Sequence, residues 1–279
     1  MKIINILFIV FFLTLSGCNF LKEDNGNLVK RPEVVPPVNK LYSEAIREYD
    51  AGKSKRALEL FQLIETNYSY SKFAPKSKIF SMFIYFENSD YYNSLKYAEQ
   101  FKKFYPLDKN IDYVDFIVAL TFYEQVQTQS RDQTYTIAAK KKFNEIIKKY
   151  PKDNKYVLES KYKIDLLNEQ LAGKQIYIAR FYMNKSKWIP AIKRLNIVIN
   201  DYPTTIYSIE ALHRLVEIYY KLGNLKLAKK YASILGYNFN DSEWYKKTYK
   251  LVGDKNYKEI NKKSKISIRD KLKKFLPKK

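Results

Sequence analysis

Cysteine is nearly absent from this chain. Cys18 is the only one in 279 residues, and a lone cysteine can close no disulfide within its own chain. Histidine is as scarce. His213 stands alone, so a metal site of the usual His and Cys ligands cannot be assembled. A Ser–His or Cys–His catalytic pair would lack an identifiable second member. No GxxxxGK phosphate loop and no GxGxxG stretch occurs. Glycine (7) and proline (9) are few, which disfavours turn-rich β architecture and points to helix. The longest apolar run, Ile6 to Leu13, is too short for a permanent membrane span, which takes roughly 20 apolar residues. Acidic side chains number 29 against 51 basic ones, a net charge of +22. Residues 246–279 hold 14 basic and 3 acidic side chains, so about half the excess sits at one end. The rest is mixed in sign. The abundant Tyr, Phe, Ile, Lys and Asn are residues of AT-rich codons, and part of the positive charge follows from that bias.

The N-terminus has the order of a secretory signal. Lys2 supplies a positive charge, the apolar run follows, and small residues close it. Those last residues, Leu15-Ser16-Gly17-Cys18, look like a bacterial lipobox. On that pattern residues 1–17 are a removable signal peptide and Cys18 carries the lipid. Asn19, in place of Asp, implies the outer membrane rather than the inner one. Residues 18–37, with Gly26, Pro32, Pro36 and Pro37 among polar neighbours, read as an extended tether. No cofactor is expected beyond that covalent lipid. An exported chain also makes nucleic acid an unexpected partner despite the charge.

One pattern then recurs five times. Ala57, Phe61, Ile64 and Tyr68 are spaced +4, +7 and +11, which places all four on one helical face. The spacing returns at Ser94, Ala98, Phe101, Tyr105, and at Ala139, Phe143, Ile146, Tyr150. It returns again at Ala191, Leu195, Val198, Tyr202, and at Ala228, Ala232, Leu235, Phe239. Proline follows the aromatic at 106, 151 and 203, where it stops the helix. Five residues before each first member lies a turn former: Gly52, Ser89, Thr134, Ser186 and Gly223. Further apolar-periodic segments, such as Ile111–Val126 and Ser208–Leu222, lie between the copies. The unit is therefore helix, turn, helix, turn. The copies are 37, 45, 52 and 37 residues apart, against about 34 for tetratricopeptide repeats. The longer intervals need insertions, expected at the Thr128–Thr134 loop and over 154–184. The second insertion is either one long helix or two broken near Gly173. The expected architecture is all-α, a tetratricopeptide-like solenoid of about five helical hairpins over residues 38–240, with a basic tail over 241–279. In such a stack the aromatic stripe is core, and function sits on the concave face or the edges.

Chemistry is hard to find. His213 lies on an expected helix with no second ligand nearby, in a structural or surface role. Glu159-Ser160 invites comparison with murein-cleaving lipoproteins, but the glycine-and-glutamine motif that accompanies that pair is missing, and a solvated helix residue is the simpler account.

Several runs resemble the BamD family of outer-membrane barrel-assembly lipoproteins. Residues 109–125, "KNIDYVDFIVALTFYEQ", are similar to the start of its third repeat, and "SRDQ" (130–133) to its Arg-Asp turn. Residues 171–205 resemble its fourth repeat, including Ala179, Tyr182, Trp188, Arg194 and Tyr202-Pro203. Residues 210–223, "EALHRLVEIYYKLG", resemble its fifth. The departures are Gln175, where a glutamate is expected, and the basic tail. The resemblance implies a non-enzymatic scaffold that docks on the periplasmic domains of the barrel insertase through its C-terminal repeats. Arg194 and Trp188 are the expected contacts there. It also implies that the N-terminal repeats receive the C-terminal peptides of unfolded barrel clients. Tyr42, Tyr49, Phe83, Tyr85, Tyr91 and Tyr92 are the aromatics expected to meet them, with core packing as the competing role of each. Rival assignments are another repeat-containing assembly lipoprotein, such as a secretin pilotin, and a peptidoglycan-cleaving enzyme. Ile268, Leu272 and Phe275 share one helical face in the tail, which suits a membrane surface, a partner or simple solvation. The acyl chains on Cys18 are expected to dominate attachment to the inner leaflet of the outer membrane.

Overall fold

The computed structural model describes residues 35–252. Residues 1–34, with the signal segment and Cys18, and residues 253–279, with Ile268, Leu272 and Phe275, lie outside the described residues. Eleven α-helices and no strand occur among the described residues. They are α1 (Val38–Asp50), α2 (Ser54–Asn67), α3 (Ala74–Glu87), α4 (Tyr91–Phe104), α5 (Ile111–Tyr123), α6 (Thr134–Lys149), α7 (Lys155–Asn184), α8 (Trp188–Asp201), α9 (Ile206–Lys221), α10 (Leu225–Asn238) and α11 (Glu243–Val252). The first ten pair as five hairpins, α1–α2 through α9–α10, and each hairpin packs on the next.

The recurring stripe builds the second helix of every hairpin. Its first three positions are at most 2% exposed in all five copies. Its fourth position, Tyr68, Tyr105, Tyr150, Tyr202 or Phe239, is the residue that ends the helix. The small first member lets the two helices of a hairpin approach, and a large second or third member, Phe61, Phe101, Phe143, Leu195 or Leu235, fills the core beside it. Phe61, Phe101 and Phe143 are fully buried, so truncating any of them to alanine should cost about 3–5 kcal/mol. The core is a string of clusters rather than one centre. One spans α1–α3, the next two follow along the chain, and the last two join α7 to α11.

Four of the five expected turn formers adopt the left-handed backbone a tight turn needs. Gly52 and Gly223 have φ of 74°, Ser89 59° and Ser186 53°. Asp90 and Asn224 then cap α4 and α10, accepting from the backbone N–H groups of Asn93 (3.2 Å) and Leu227 (3.1 Å). Thr134 differs: it is the first residue of α6, because the connection there is the longer segment 124–133. That segment is tied to α7 and α9. Lys174 Nζ donates to the carbonyls of Ser130 (2.9 Å) and Arg131 (3.0 Å), and Gln129 Nε2 donates to Tyr207 Oη (2.7 Å).

The segment after Asn154 is one unbroken helix of 30 residues. Gly173 does not break it. A Cβ at this position would lie 2.3 Å from Gln129 Cδ, so the glycine makes room for the loop. The first half of α7 completes the cluster with α5 and α6, and the second half packs on α8. Helical stacking also continues past residue 240. Helix α11 lays Trp244, Tyr245, Leu251 and Val252 on the last hairpin and closes its apolar end.

Candidate functional site

The first helices of successive hairpins touch one another: α3 meets α5, α5 meets α7, and α7 meets α9. They form the inner layer of the solenoid. Between them, across the first four hairpins, opens a cleft of ≈ 670 Å³. Its apolar wall is Tyr42 from α1, Ile79, Phe80 and Phe83 from α3, Tyr113 from α5 and Tyr156 from α7. Exposed Lys76, Lys109 and Lys155 stand around it. The rings pack on each other. Phe80 stacks on Phe61 at 5.3 Å and meets the Tyr42 edge at 6.2 Å, and Tyr113 lies 5.8 Å from Tyr156. Lys155 Nζ sits 4.7 Å from the Tyr156 ring centre. Burial, with the neighbouring Tyr156 and Glu87, pushes the Tyr113 phenol well above its ordinary range. It stays a neutral hydrogen-bonding group.

The floor of the cleft is held by polar stitching at residues 110–115. Asp112 accepts from Asn154 Nδ2 (2.7 Å), whose own Oδ1 caps α7 by accepting from Tyr156 N–H (2.8 Å). Asp115 is bonded by Lys149 (2.7 Å), by the Tyr150 hydroxyl (2.5 Å) and by Lys102. Burial alone would raise its pKa, but those three donors outweigh it and hold the carboxyl below its ordinary range. The Asn110–Val114 run thus sits at the seam between the second, third and fourth hairpins.

Of the six aromatics expected to meet clients, Tyr42 and Phe83 line the cleft. Tyr49 lies next to it on α1, donating to Glu87 Oε2 (2.7 Å); burial and that bond push its pKa up to about 12. Tyr85 packs on Tyr97 at 5.2 Å and Tyr91 on Phe86 at 6.4 Å, both away from the cleft. Tyr92 is 77% exposed at the start of α4. Phe80, Tyr113 and Tyr156 complete the wall and were not singled out from sequence. The available signal was that each belongs to the first helix of a hairpin, but those helices carry no fixed spacing.

At the other end, Arg194 and Trp188 both belong to α8 and are half-buried. Arg194 donates to Gln175 Oε1 (3.1 Å), so its partner is the position where the sequence departs from the expected glutamate. Lys221 Nζ lies 5.5 Å from the Trp188 ring centre. Nearby runs a charged ladder: Glu210 is gripped by Arg180 and Arg214, and Arg214 reaches Glu217 (2.7 Å). His213 is buried, with Nδ1 2.7 Å from Thr248 Oγ1 and its ring 5.0 Å from Trp244. It fastens α11 to α9. Glu159 is exposed while Ser160 is fully buried, so the two present no common surface to a substrate. No described helix is long and apolar enough to cross a membrane.

The family described as "YfiO: Outer membrane lipoprotein" matches residues 36–235. The chain is 37% identical over 249 residues to an outer membrane protein assembly factor BamD of Rickettsia prowazekii, covering 89% of this chain and 95% of the relative. It is 32% identical over 228 residues to a BamD of Caulobacter vibrioides (81% and 74% covered) and 27% identical over 242 residues to one of Neisseria meningitidis serogroup A (82% and 89% covered). A solved tetratricopeptide-repeat protein of Thermus thermophilus aligns with a TM-score of 0.31 at 13% identity, over 78% of this chain and all of that one. The family match runs from α1 into α10, the same helices that build the cleft and hold Arg194, and this chain belongs to the YfiO family of outer membrane lipoproteins.

Proposed function

We propose that this protein is a non-enzymatic scaffold lipoprotein of the outer-membrane β-barrel assembly machinery. The observation that carries the reading is family membership over the whole helical stack, with relatives named outer membrane protein assembly factor. Its place is the outer membrane, held from the periplasmic face by lipid on Cys18. The C-terminal hairpins dock on the periplasmic domains of the barrel insertase, with Arg194 and Trp188 in the contact. The cleft takes the C-terminal peptide of an unfolded barrel client. Its chemistry supports that role. Phe80 and Phe83 offer apolar area, and Tyr42, Tyr113 and Tyr156 add hydroxyl tips to it. The lysines at 76, 109 and 155 suit a terminal carboxylate. A solenoid groove suits an extended chain.

A photocrosslinking peptide ending like an outer-membrane barrel strand tests the cleft. It should label residues that line the cleft, between Tyr42 and Tyr156, and be displaced by unlabelled peptide. Labelling confined to 187–240 would assign the two ends of the stack the other way round. Recovery of an insertase with periplasmic repeat domains in a pull-down from detergent-solubilised outer membrane tests the docking role, and its absence would count against the scaffold. Mass spectrometry of the mature protein tests Cys18, where an unmodified thiol would remove the anchor.

A further inference from the structure

We propose that one edge of the solenoid, formed by the loops that join α2 to α3, α4 to α5 and α6 to α7, seats on an anionic phospholipid surface. Two side chains at the loop tips are unusual. Tyr70 and Leu107 are 104% and 96% exposed, and Phe104, the last residue of α4, is 61% exposed. Topology puts all three on one edge, because every second helix of a hairpin ends there and every first helix begins there. Each loop also carries an exposed lysine, Lys72, Lys109 and Lys152, and one exposed acid, Asp153, stands beside the last of them. The nearby Asp108 is engaged inward, its Oδ1 accepting from the backbone and side-chain N–H groups of Asn110 at 2.8 and 2.9 Å. On the opposite edge of the same two hairpins, the turns 51–53 and 88–90 hold no large apolar side chain, and Tyr92, 77% exposed in the first turn of α4, is the aromatic that stands out there. Protruding apolar tips flanked by cations suit the headgroup layer of a bilayer, where aromatic rings sit at the interface and lysines meet anionic lipid.

The chain itself says which surface this edge faces. The segment leading from Cys18 enters the fold here: Tyr68 Oη, at the start of the α2–α3 loop, donates to the carbonyls of Pro36 (3.0 Å) and Val35 (3.4 Å). The residues between Cys18 and Val35 span at most about 60 Å when fully extended. A lipid on Cys18 would hold the N-terminal hairpins, at whose edge the chain enters, within that reach of the bilayer. The direction of approach rests on the lipidation of Cys18, but the contact does not require the acyl chains.

The test accordingly omits them. The mature chain carries Cys18→Ser and one new cysteine, at Tyr70→Cys, Leu107→Cys or Tyr92→Cys, labelled with a polarity-sensitive dye. Tyr92 serves as the control because it is similarly exposed at the opposite edge. With vesicles of phosphatidylethanolamine and a minor share of phosphatidylglycerol, the dye at 70 and 107 should brighten several-fold and shift to the blue, while the dye at 92 stays unchanged. Each lysine near an anionic surface contributes about a five-fold gain in partitioning. Replacing Lys72 and Lys152 by Gln, which leaves the cleft lysines in place, should therefore cut the response at 107 by at least that factor. Co-sedimentation of each variant with the vesicles is measured beside the dye signal, so lost depth at the edge is read separately from lost binding. Equal responses at 92 and 107 would overturn the proposal. So would silence at 70 and 107 in protein that co-sediments with the vesicles, or a response at 107 that needs a second protein instead of lipid. An unmodified Cys18 in the native protein would refute the anchor and leave this outcome standing.

Discussion

Lys78 is the most exacting test of how the hairpins are held together. It lies on α3 with 8% of its side chain exposed, 2.5 Å from Glu65 on α2, whose side chain is 13% exposed. It also donates to Gln100 Oε1 on α4 at 3.0 Å and sits 5.0 Å from the Tyr97 ring centre. Three helices of two hairpins therefore meet at one ammonium group. Lys78→Met keeps the apolar stem and removes the charge, leaving Glu65 buried and unpaired. Breaking a buried pair from one side costs about 3–5 kcal/mol. At about 2–4 °C per kcal/mol for a chain of this size, the unfolding midpoint should fall by roughly 6–20 °C. Removing both partners, in Glu65→Leu with Lys78→Met, should bring it back to within about 1 kcal/mol of the parent. The pH dependence has a definite sign. Burial raises the Glu65 pKa even though Lys78 and Ser81 lower it, so the fold holds a proton there more readily than the unfolded chain does. Losing Lys78 raises it further. The penalty of Lys78→Met is thus present in full at neutral pH and fades as pH falls through the folded-state pKa toward the ordinary value of 4.5. Thermal unfolding followed by circular dichroism, at neutral pH and near pH 5, measures all of this. A single variant costing under about 1 kcal/mol, a double variant no better than the single, or a gap that widens in acid would refute the reasoning.

Glu217 titrates the other way. Burial alone would raise its pKa, but bonds from His213 and Arg214 outweigh that and hold the carboxyl at about 2, against an ordinary 4.5. The stability it contributes is present above 4.5 and lost as pH falls toward 2, so Glu217→Gln should flatten the acid limb of stability in that window, measured by denaturant titration. Ser89→Gly and Ser186→Gly should each stabilise by about 0.5 kcal/mol, because their left-handed backbones suit glycine. Gly52→Ala and Gly223→Ala should destabilise by about 1 kcal/mol, although an added Cβ would meet nothing within 4 Å. Gly173→Ala should cost about 1 kcal/mol where Gln129 is intact and gain up to about that much in a Gln129→Ala background, where only helix propensity remains. A double-mutant cycle in urea reads the sign change.

Legibility differed between the fold and the site for a physical reason. The second helices were readable position by position. Their stripe packs against the partner helix of the same hairpin, so small-large-aromatic spacing is imposed locally and repeats. Ala139, Phe143, Ile146 and Tyr150 could be placed without any neighbour being known. Tyr42 and Phe83 were within reach because the first two hairpins are conspicuously aromatic. Tyr113 and Tyr156 were not. They join the cleft only because α5 and α7 stand beside α3, and nothing in their own segments records that. Gly173 shows the same limit. In sequence it weakens a helix, whereas here it gives space to Gln129 from a loop more than forty residues earlier.

The sequence by itself determined an all-α stack of five hairpins, where each second helix stops, and which end carries the lysine-rich segment. Local periodicity and backbone stereochemistry act within about a dozen residues, and those features need no more. Tertiary structure alone decided that α7 runs unbroken through two hairpins and that α11 closes the stack. It also decided that Asp112, Asp115 and Asn154 stitch the inner layer, and that four first helices share one aromatic cleft. These contacts join residues far apart along the chain, and only the stacking of one repeat on the next brings them within bonding distance.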